Sequence, residues 1–328
     1  MCKMTKVLLT GASGFMGQYV LRALLENNIE VIAPVRDAAS MRSIYRQPEV
    51  TFLEGQFYSD ALLEQYRQHQ PEMIIHLAAI RGDGNGSWKK YLEVNVNGTE
   101  RLVRYALENR LKKFLYCSTV GIYGTVPSRI PADPYTSAEA DGYYHQSKLL
   151  AEKIILNHLR GHVPLAIFRP TISYGFGDDG FLVKMISMVR KRVFPLMSSQ
   201  VLIHLLDVNS FGELMVLAVR KKLDDYHIVN VADKNPVQLS QLVDVIHSHF
   251  FEKPYPRYMR TPQFFHRFSE WATQVLKMRG AHISVKLISH DWYYDTSNLE
   301  NIFELPQHNT FDVVQYYLKH SFPRNGEQ

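Results

Sequence analysis

The chain has 328 residues, enough for one large domain or for a core domain with a smaller lobe. Hydrophobic residues make up 46% and charged residues 21%, the balance of a chain that builds a packed core and not of a disordered one. The net charge of +5 comes without any run of five like charges, which sets nucleic acid aside as a partner.

Two cysteines, Cys2 and Cys117, give no disulfide framework, and a reducing cytoplasm is the expected setting. MCKMTK runs straight into a strand, leaving no room for a signal peptide, and no stretch of 18 apolar residues could span a membrane. His158 with His162 and His247 with His249 are close pairs without a nearby third ligand, so no metal is expected.

The first element is expected at Lys6–Gly17, KVLLTGASGFMG. Val7, Leu8 and Leu9 suit a strand buried on both faces. Gly11, Gly14 and Gly17 follow, enclosing Ser13, Phe15 and Met16, and then Val20, Leu21, Leu24 and Leu25 recur at helical spacing. Strand, glycine turn and helix in that order form a dinucleotide-binding unit. Glycines let backbone N–H groups approach a pyrophosphate, and the helix N-terminus adds partial positive charge. A second strand, Val31–Val35, ends in Arg36 and Asp37. A carboxylate closing this strand would hold the ribose 2′-hydroxyl of NAD, whereas an arginine would accommodate the 2′-phosphate of NADP. Val35 takes the acid's place and Arg36 the next, which favours NADP over NAD; Asp37, and a merely solvated Arg36, are the competing readings.

The third strand, Val50–Leu53, leads to Gln56 and Phe57, and a helix follows at Asp60–His69. The fourth, Met73–Leu77, leads into Ala78–Ala79, small residues beside which a ligand can pass. The loop at 81–87 holds three glycines and is expected to border the site. Asn95, Asn97 and Gly98 are poor helix formers inside a helical stretch, marking either a kink or a functional asparagine. The fifth strand, Lys113–Ser118, is followed by Thr119, and the prolines of Pro127–Gly142 read as a long active-site loop.

Tyr144 and Lys148 stand one turn apart on a helix and share a face. A free tyrosine titrates near 10, too high for a base at neutral pH; an ammonium beside it favours the phenolate. Such a phenol takes a proton from an alcohol or returns one to a ketone. His145 falls on another face and reads as structural or substrate-lining. The sixth strand, Leu165–Phe168, precedes Arg169–Gly175, RPTISYG. Beyond it, helices are expected at Phe181–Val193, Asp207–Leu223 and Gln238–Phe250, with a strand at Tyr226–Val231. Pro262–Gly280 puts Phe264, Phe265, Phe268, Trp271, Ala272, Val275 and Leu276 on one helical stripe beside basic residues. That pattern fits a helix packed on the smaller lobe or at a dimer interface, or else a substrate lid or membrane-surface helix.

The glycine loop T-G-x-x-G-x-x-G, HLAA at His76–Ala79, Ser118-Thr119 ahead of Tyr123-Gly124, Tyr144-x-x-x-Lys148 and R-P-x-x-x-Y-G at Arg169–Gly175 together resemble the extended short-chain dehydrogenase/reductase family, over nearly the whole chain. The resemblance implies an α/β fold with a doubly wound parallel sheet, the Rossmann arrangement. Residues 1–175, with 207–235, would bind the dinucleotide; 176–206 and 236–328 would form a smaller substrate lobe. It implies Tyr144 as acid/base, Lys148 lowering its pKa and holding the ribose, Thr119 on the substrate oxygen with Ser118 as lesser candidate, and Asn95 supporting them. Gln56 stands where the family often has an adenine-contacting aspartate, next to Phe57. Leu77, Ala78 and Ala79 would flank the cofactor, and Pro170 and Thr171 the nicotinamide. The stretch Trp292–Leu299 looks like the branch of 3β-hydroxysteroid-type dehydrogenases and dihydroflavonol-reductase-like enzymes. A homodimer through the Tyr144 helix is implied as well.

Two departures bear on the reaction. Ile172 stands where nucleotide-sugar epimerases often place a phosphate-binding asparagine, and Val120-Gly121 where nucleotide-sugar dehydratases carry Asp-Glu. The second removes the acid and base an elimination needs. The expectation is an NAD(P)-linked interconversion of a secondary alcohol and a ketone in a small-molecule substrate. Nucleotide-sugar 4-epimerisation is the alternative, and a non-catalytic NADP-sensing protein the third reading.

Overall fold

A computed structural model describes residues 5–82, 86–197, 200–305 and 308–323; Cys2 and residues 83–85 of the expected border loop lie outside these. The strands are β1 Lys6–Thr10, β2 Glu30–Val35, β3 Val50–Glu54, β4 Met73–His76, β5 Lys113–Cys117, β6 Leu165–Pro170, β7 Ile172–Tyr174, β8 Leu202–Ile203, β9 Leu205–Asp207, β10 Tyr226–Val231 and β11 Val237–Gln238. The helices are α1 Phe15–Glu26, α2 Ala38–Ile44, α3 Asp60–His69, α4 Trp88–Tyr91, α5 Gly98–Glu108, α6 Gly142–Leu159, α7 Phe181–Arg190, α8 Val208–Arg220, α9 Leu239–Phe251, α10 Gln263–Val275, α11 Arg279–Ser289, α12 Ser297–Phe303 and α13 Thr310–Ser321.

Seven strands form one sheet in the order β10-β6-β5-β4-β1-β2-β3, and every pair in it is parallel. Along β1, Val7 and Leu9 join the core on one face while Leu8 joins the core on the other, so both faces are buried. The first core takes α1 and α8 through Leu21, Leu24, Phe211 and Leu214; the second takes α3, α5 and α6 through Leu62, Leu102 and Ile155. The strand order reverses at β1, whose neighbours are β2 and β4. A cleft at the carboxyl ends beside such a reversal is where ligands bind in sheets of this kind.

A third core gathers α7, α9 and α13 through Leu182, Ile186, Leu242, Ile246 and Val314, with Tyr123 and Ala132 from the other part of the chain. Two short pairs, β7 with β9 and β8 with β11, sit at this junction. Asp233 ties it together: one oxygen accepts from the Asp207 amide at 2.7 Å, the other from Tyr174 Oη at 2.8 Å and Thr310 Oγ1 at 2.6 Å.

The C-terminal third departs from expectation in two places. Leu299, Phe303 and Leu305 pack into the sheet's own core and not into the smaller lobe. The stretch expected as one helix over 262–280 breaks at Lys277, whose φ is +54°, into α10 and α11.

Candidate functional site

One cleft opens at the carboxyl ends of the strands. It is lined by the glycine turn, by Leu77 and Ala79, by Cys117–Gly121, by Tyr144, His145 and Lys148, and by Pro170–Ser173. The substrate end is walled by Phe181, Ile283, Leu287, Trp292 and Tyr294.

Backbone crowding fixes the turn. A Cβ on Gly11, whose φ is +79°, would meet the Ala78 amide nitrogen at 2.7 Å, and one on Gly17 would meet the Gly11 carbonyl at 1.9 Å. Gly14 donates to that same carbonyl at 3.0 Å and begins α1. No side chain caps α1 and no acid stands in its first turn, which leaves its N-terminal amides for an anion.

Arg36 stands exposed at the end of β2. Asp37, its rival for the ribose, is committed elsewhere: its carboxylate accepts from the Ser40 amide at 2.9 Å and caps α2. Gln56 is exposed, whereas the Phe57 ring is buried in the core 5.2 Å from that of His76.

Asn95 lies in a π-helical turn, Leu92–Asn97, that continues directly into α5, so the helical run is not broken there. Its side chain accepts from the Ile80 amide at 2.8 Å and donates to the Ile80 carbonyl at 3.1 Å and Ser147 Oγ at 2.9 Å. Asn95 thereby ties the loop after β4 to α6, which carries Tyr144 and Lys148. Gly98 makes room for Phe57 and Tyr58, whose ring atoms lie 2.9 and 3.0 Å from where its Cβ would be. A buried chain continues from Thr10 Oγ1 to His76 Nδ1 (2.6 Å), His76 Nε2 to Thr99 Oγ1 (2.9 Å) and Thr99 Oγ1 to the Asn95 carbonyl (2.6 Å). Burial, aided by Lys148, holds His76 far below the usual histidine range, hence neutral. Sequence reasoning noted His76 only as part of HLAA.

Thr119 caps the short turn Val120–Tyr123: its Oγ1 accepts from the Gly121 amide at 3.1 Å. Its hydroxyl proton therefore remains available to a substrate oxygen. Ser118 Oγ is buried and has no hydrogen-bond partner among the described residues. A bound polar group would relieve that cost.

Tyr144 and Lys148 both face the cleft. Lys148 is 2% exposed, with its ammonium 4.1 Å from the centroid of the Tyr116 ring. Burial pushes it down to about 8, against the pull of Cys117 and Glu152. Lys148, expected to lower the Tyr144 pKa, is not among the groups that shift it here. Burial raises the phenol, the Cys117 thiol adds to the rise, and the cation that opposes it is Arg81.

Beside them stands a pair that sequence reasoning half missed. His145 Nδ1 lies 2.7 Å from Asp141 Oδ1, while Asp141 Oδ2 accepts from the Thr125 amide at 3.1 Å and its hydroxyl at 2.5 Å. Burial alone would raise Asp141, but the bonds from His145 and Thr125 prevail and bring it down to about 2. The imidazole lies against Gly121, where a Cβ would come within 2.2 Å of Nε2. Gly121→Ala is therefore expected to expel the ring from the cleft and cut turnover several-fold, with the unfolding midpoint in urea changed little. Unchanged kinetics would show that the ring's position is immaterial.

Arg169 does not reach the cleft. It grips Glu152 through two hydrogen bonds of 3.0 and 2.7 Å, and also donates to Tyr123 Oη at 2.7 Å and the Pro134 carbonyl at 2.8 Å.

The chain was compared with known proteins. A model of the NAD dependent epimerase/dehydratase family matches residues 7–232. The UDP-glucose 4-epimerase of Halalkalibacterium halodurans is 32% identical over 151 residues, 45% of this chain and 44% of that enzyme's own length. The Escherichia coli O157:H7 protein named N-acetyl-alpha-D-glucosaminyl-diphospho-ditrans,octacis-undecaprenol 4-epimerase is 24% identical over 265 residues, 76% of each. Among solved structures, Bordetella bronchiseptica WbmH in complex with NAD+ superposes with a TM-score of 0.75 at 20% identity, covering 97% of this chain and all (100%) of that one. The family model spans the glycine turn, the Tyr144 helix and all but the first residue of the seven-stranded sheet, and the chain is an enzyme of the NAD dependent epimerase/dehydratase family, an extended short-chain dehydrogenase/reductase.

Proposed function

We propose that the chain interconverts a secondary alcohol and a ketone by hydride transfer, as the half-reaction of a nucleotide-sugar 4-epimerase. The observation that carries this is the meeting of Tyr144, Lys148 and Thr119 in one cleft with the Gly11–Gly17 turn. The similarity to 4-epimerases supports the epimerase form over a net oxidoreductase.

The residues present suit a dinucleotide: an uncapped helix N-terminus for its pyrophosphate, Arg36 and Gln56 at the adenosine end, Leu77 and Ala79 beside its path, a buried ammonium for a ribose hydroxyl, and Pro170 and Thr171 at the nicotinamide end. Bound NAD(P) supplies the acceptor and donor of hydride. Tyr144 takes the hydroxyl proton of the substrate and returns it. Thr119 donates to the same oxygen, and Lys148 holds charge beside both. Asn95 keeps α6 and the loop after β4 in register around them.

The test is to denature the purified protein, identify the released cofactor, and follow a panel of nucleotide sugars by chromatography. Cofactor that survives purification, with a C4 epimer formed and no net redox change, supports the proposal. No turnover on sugars or carbonyls despite tight cofactor binding would revive the sensing protein. A second reading, net oxidation or reduction of a less polar alcohol in the manner of the hydroxysteroid-type branch, is favoured by Ile172 and by the apolar wall of Phe181, Ile283, Leu287 and Trp292. Stoichiometric consumption of added cofactor would decide for it.

The cofactor preference is NADP, since Val35 offers no carboxylate and Asp37 is spent on α2. Arg36→Ala should weaken NADP binding about tenfold or more and leave NAD nearly unchanged, as isothermal titration would read. Equal weakening of both would return the preference to NAD, the cofactor in the WbmH structure. The homodimer through α6 is carried forward as part of the proposal, to be read by sedimentation velocity.

A further inference from the structure

Helix α10 wears its amphipathicity inside out. Phe264, Phe268, Trp271 and Val275 recur at i, i+4, i+7 and i+11, one stripe on a helix, and are 73%, 60%, 58% and 58% exposed. Phe265, Leu276 and Met278 widen the stripe and are exposed too. The polar face is the one turned to the protein. His266 is buried and pairs with Ser289 Oγ at 2.9 Å, Thr273 Oγ1 lies 3.3 Å from His282 Nδ1, and Glu270 meets His290 at 2.8 Å. Polar bonds therefore anchor α10 to α11, and no described residue covers the apolar stripe. A helix packed by its apolar face shows the reverse arrangement. The helix thus packs on the smaller lobe through its polar face, and the apolar stripe does not take part in that packing. Contiguous exposed aromatics on this scale mark an interaction surface.

Charge selects the partner. From Gln263 to Ser289 the hairpin carries Arg267, Lys277, Arg279 and Lys286 against one acid, Glu270, which is engaged by His290. A second copy of the same face would bring like charges together, whereas an anionic bilayer answers both the aromatic stripe and the basic residues. Among the described residues no helix is long and apolar enough to cross a membrane.

We propose that the α10–α11 hairpin docks this enzyme on the surface of a bilayer containing anionic lipid, with the stripe Phe264–Phe268–Trp271–Val275 in the interface. Ile283 and Leu287 of the same hairpin wall the substrate end of the cleft. Docking would bring that apolar end to the membrane. The inference does not depend on which reaction the cleft performs.

The test is cosedimentation of the full chain with vesicles of phosphatidylcholine, alone and mixed with phosphatidylglycerol. The wild type should pellet with the mixed vesicles, release in high salt, and show a blue shift of Trp271 emission. Phe268→Ser/Trp271→Ser should stay in the supernatant while retaining its cofactor. Arg267→Gln/Lys277→Asn should lose most of the preference for phosphatidylglycerol; asparagine tolerates the left-handed backbone at Lys277. Wild type left in the supernatant with both vesicles would overturn the proposal. So would a concentration-dependent dimer in sedimentation velocity that the Phe268→Ser/Trp271→Ser variant abolishes, since the stripe would then belong to a second copy.

Discussion

Tyr144→Phe should lower kcat by about a hundred- to ten-thousand-fold, the usual worth of a positioned acid/base, and leave cofactor retention nearly intact. The substitution deletes one oxygen and keeps the ring, which packs 5.4 Å from that of His145. No cavity opens, so stability is not the variable. Burial raises the phenol's pKa, so the neutral hydroxyl is the resting form and it gives up its proton only when the site offers positive charge. Lys148→Met should behave differently. The buried ammonium lines the same cleft as the phenol and is the cation available to a ribose hydroxyl, so turnover and cofactor retention should fall together. The contrast is read by steady-state kinetics alongside the absorbance of cofactor released on denaturation. Parallel loss of both in Tyr144→Phe would remove this residue from proton transfer and leave it a wall of the cofactor site.

What could be read from the sequence was local and ordered along the chain. The Gly11–Gly17 turn, the alternation of strands and helices, and the four-residue spacing of Tyr144 and Lys148 all follow from short-range pattern, and the sheet and the cleft agree with them. Contacts between distant segments had no such signature. Asn95 meets Ser147 across 52 positions, Thr10 meets His76 across 66, and Asn230 meets Ala132 across 98. Asp141 carries no signal of its own in the sequence; only the fold sets His145 and Thr125 around it. The aromatic stripe of α10 was legible as a stripe, but periodicity says which residues share a face and not whether that face turns inward. The path of α12 back onto the sheet was illegible for the same reason: its apolar residues suit either core.

Glu152→Ala should be the most destabilising of the substitutions considered, by about 3–5 kcal/mol, the usual cost of stripping one partner from a buried ion pair. The side chains of Arg169 and Glu152 are only 7% and 3% exposed, and the guanidinium gives two further bonds to Tyr123 and to the Pro134 carbonyl of the long loop. Without Glu152 that cation stays buried with two neutral acceptors. The urea midpoint should fall while the slope of the transition holds, because the surface exposed on unfolding is unchanged. A double variant, Glu152→Met/Arg169→Met, separates two roles that the pair combines. Replacing both charges with apolar groups of similar length is often near neutral for stability, so much of the lost midpoint should return. Unlike Glu152→Ala, the double variant also removes the grip of Arg169 on Pro134. Its turnover should therefore fall, because the Pro127–Gly142 loop carries Asp141 and leads into the Tyr144 helix. Stability recovering with turnover intact would make the pair a packing element alone; stability recovering while turnover falls assigns Arg169 to positioning the loop that feeds the acid/base helix.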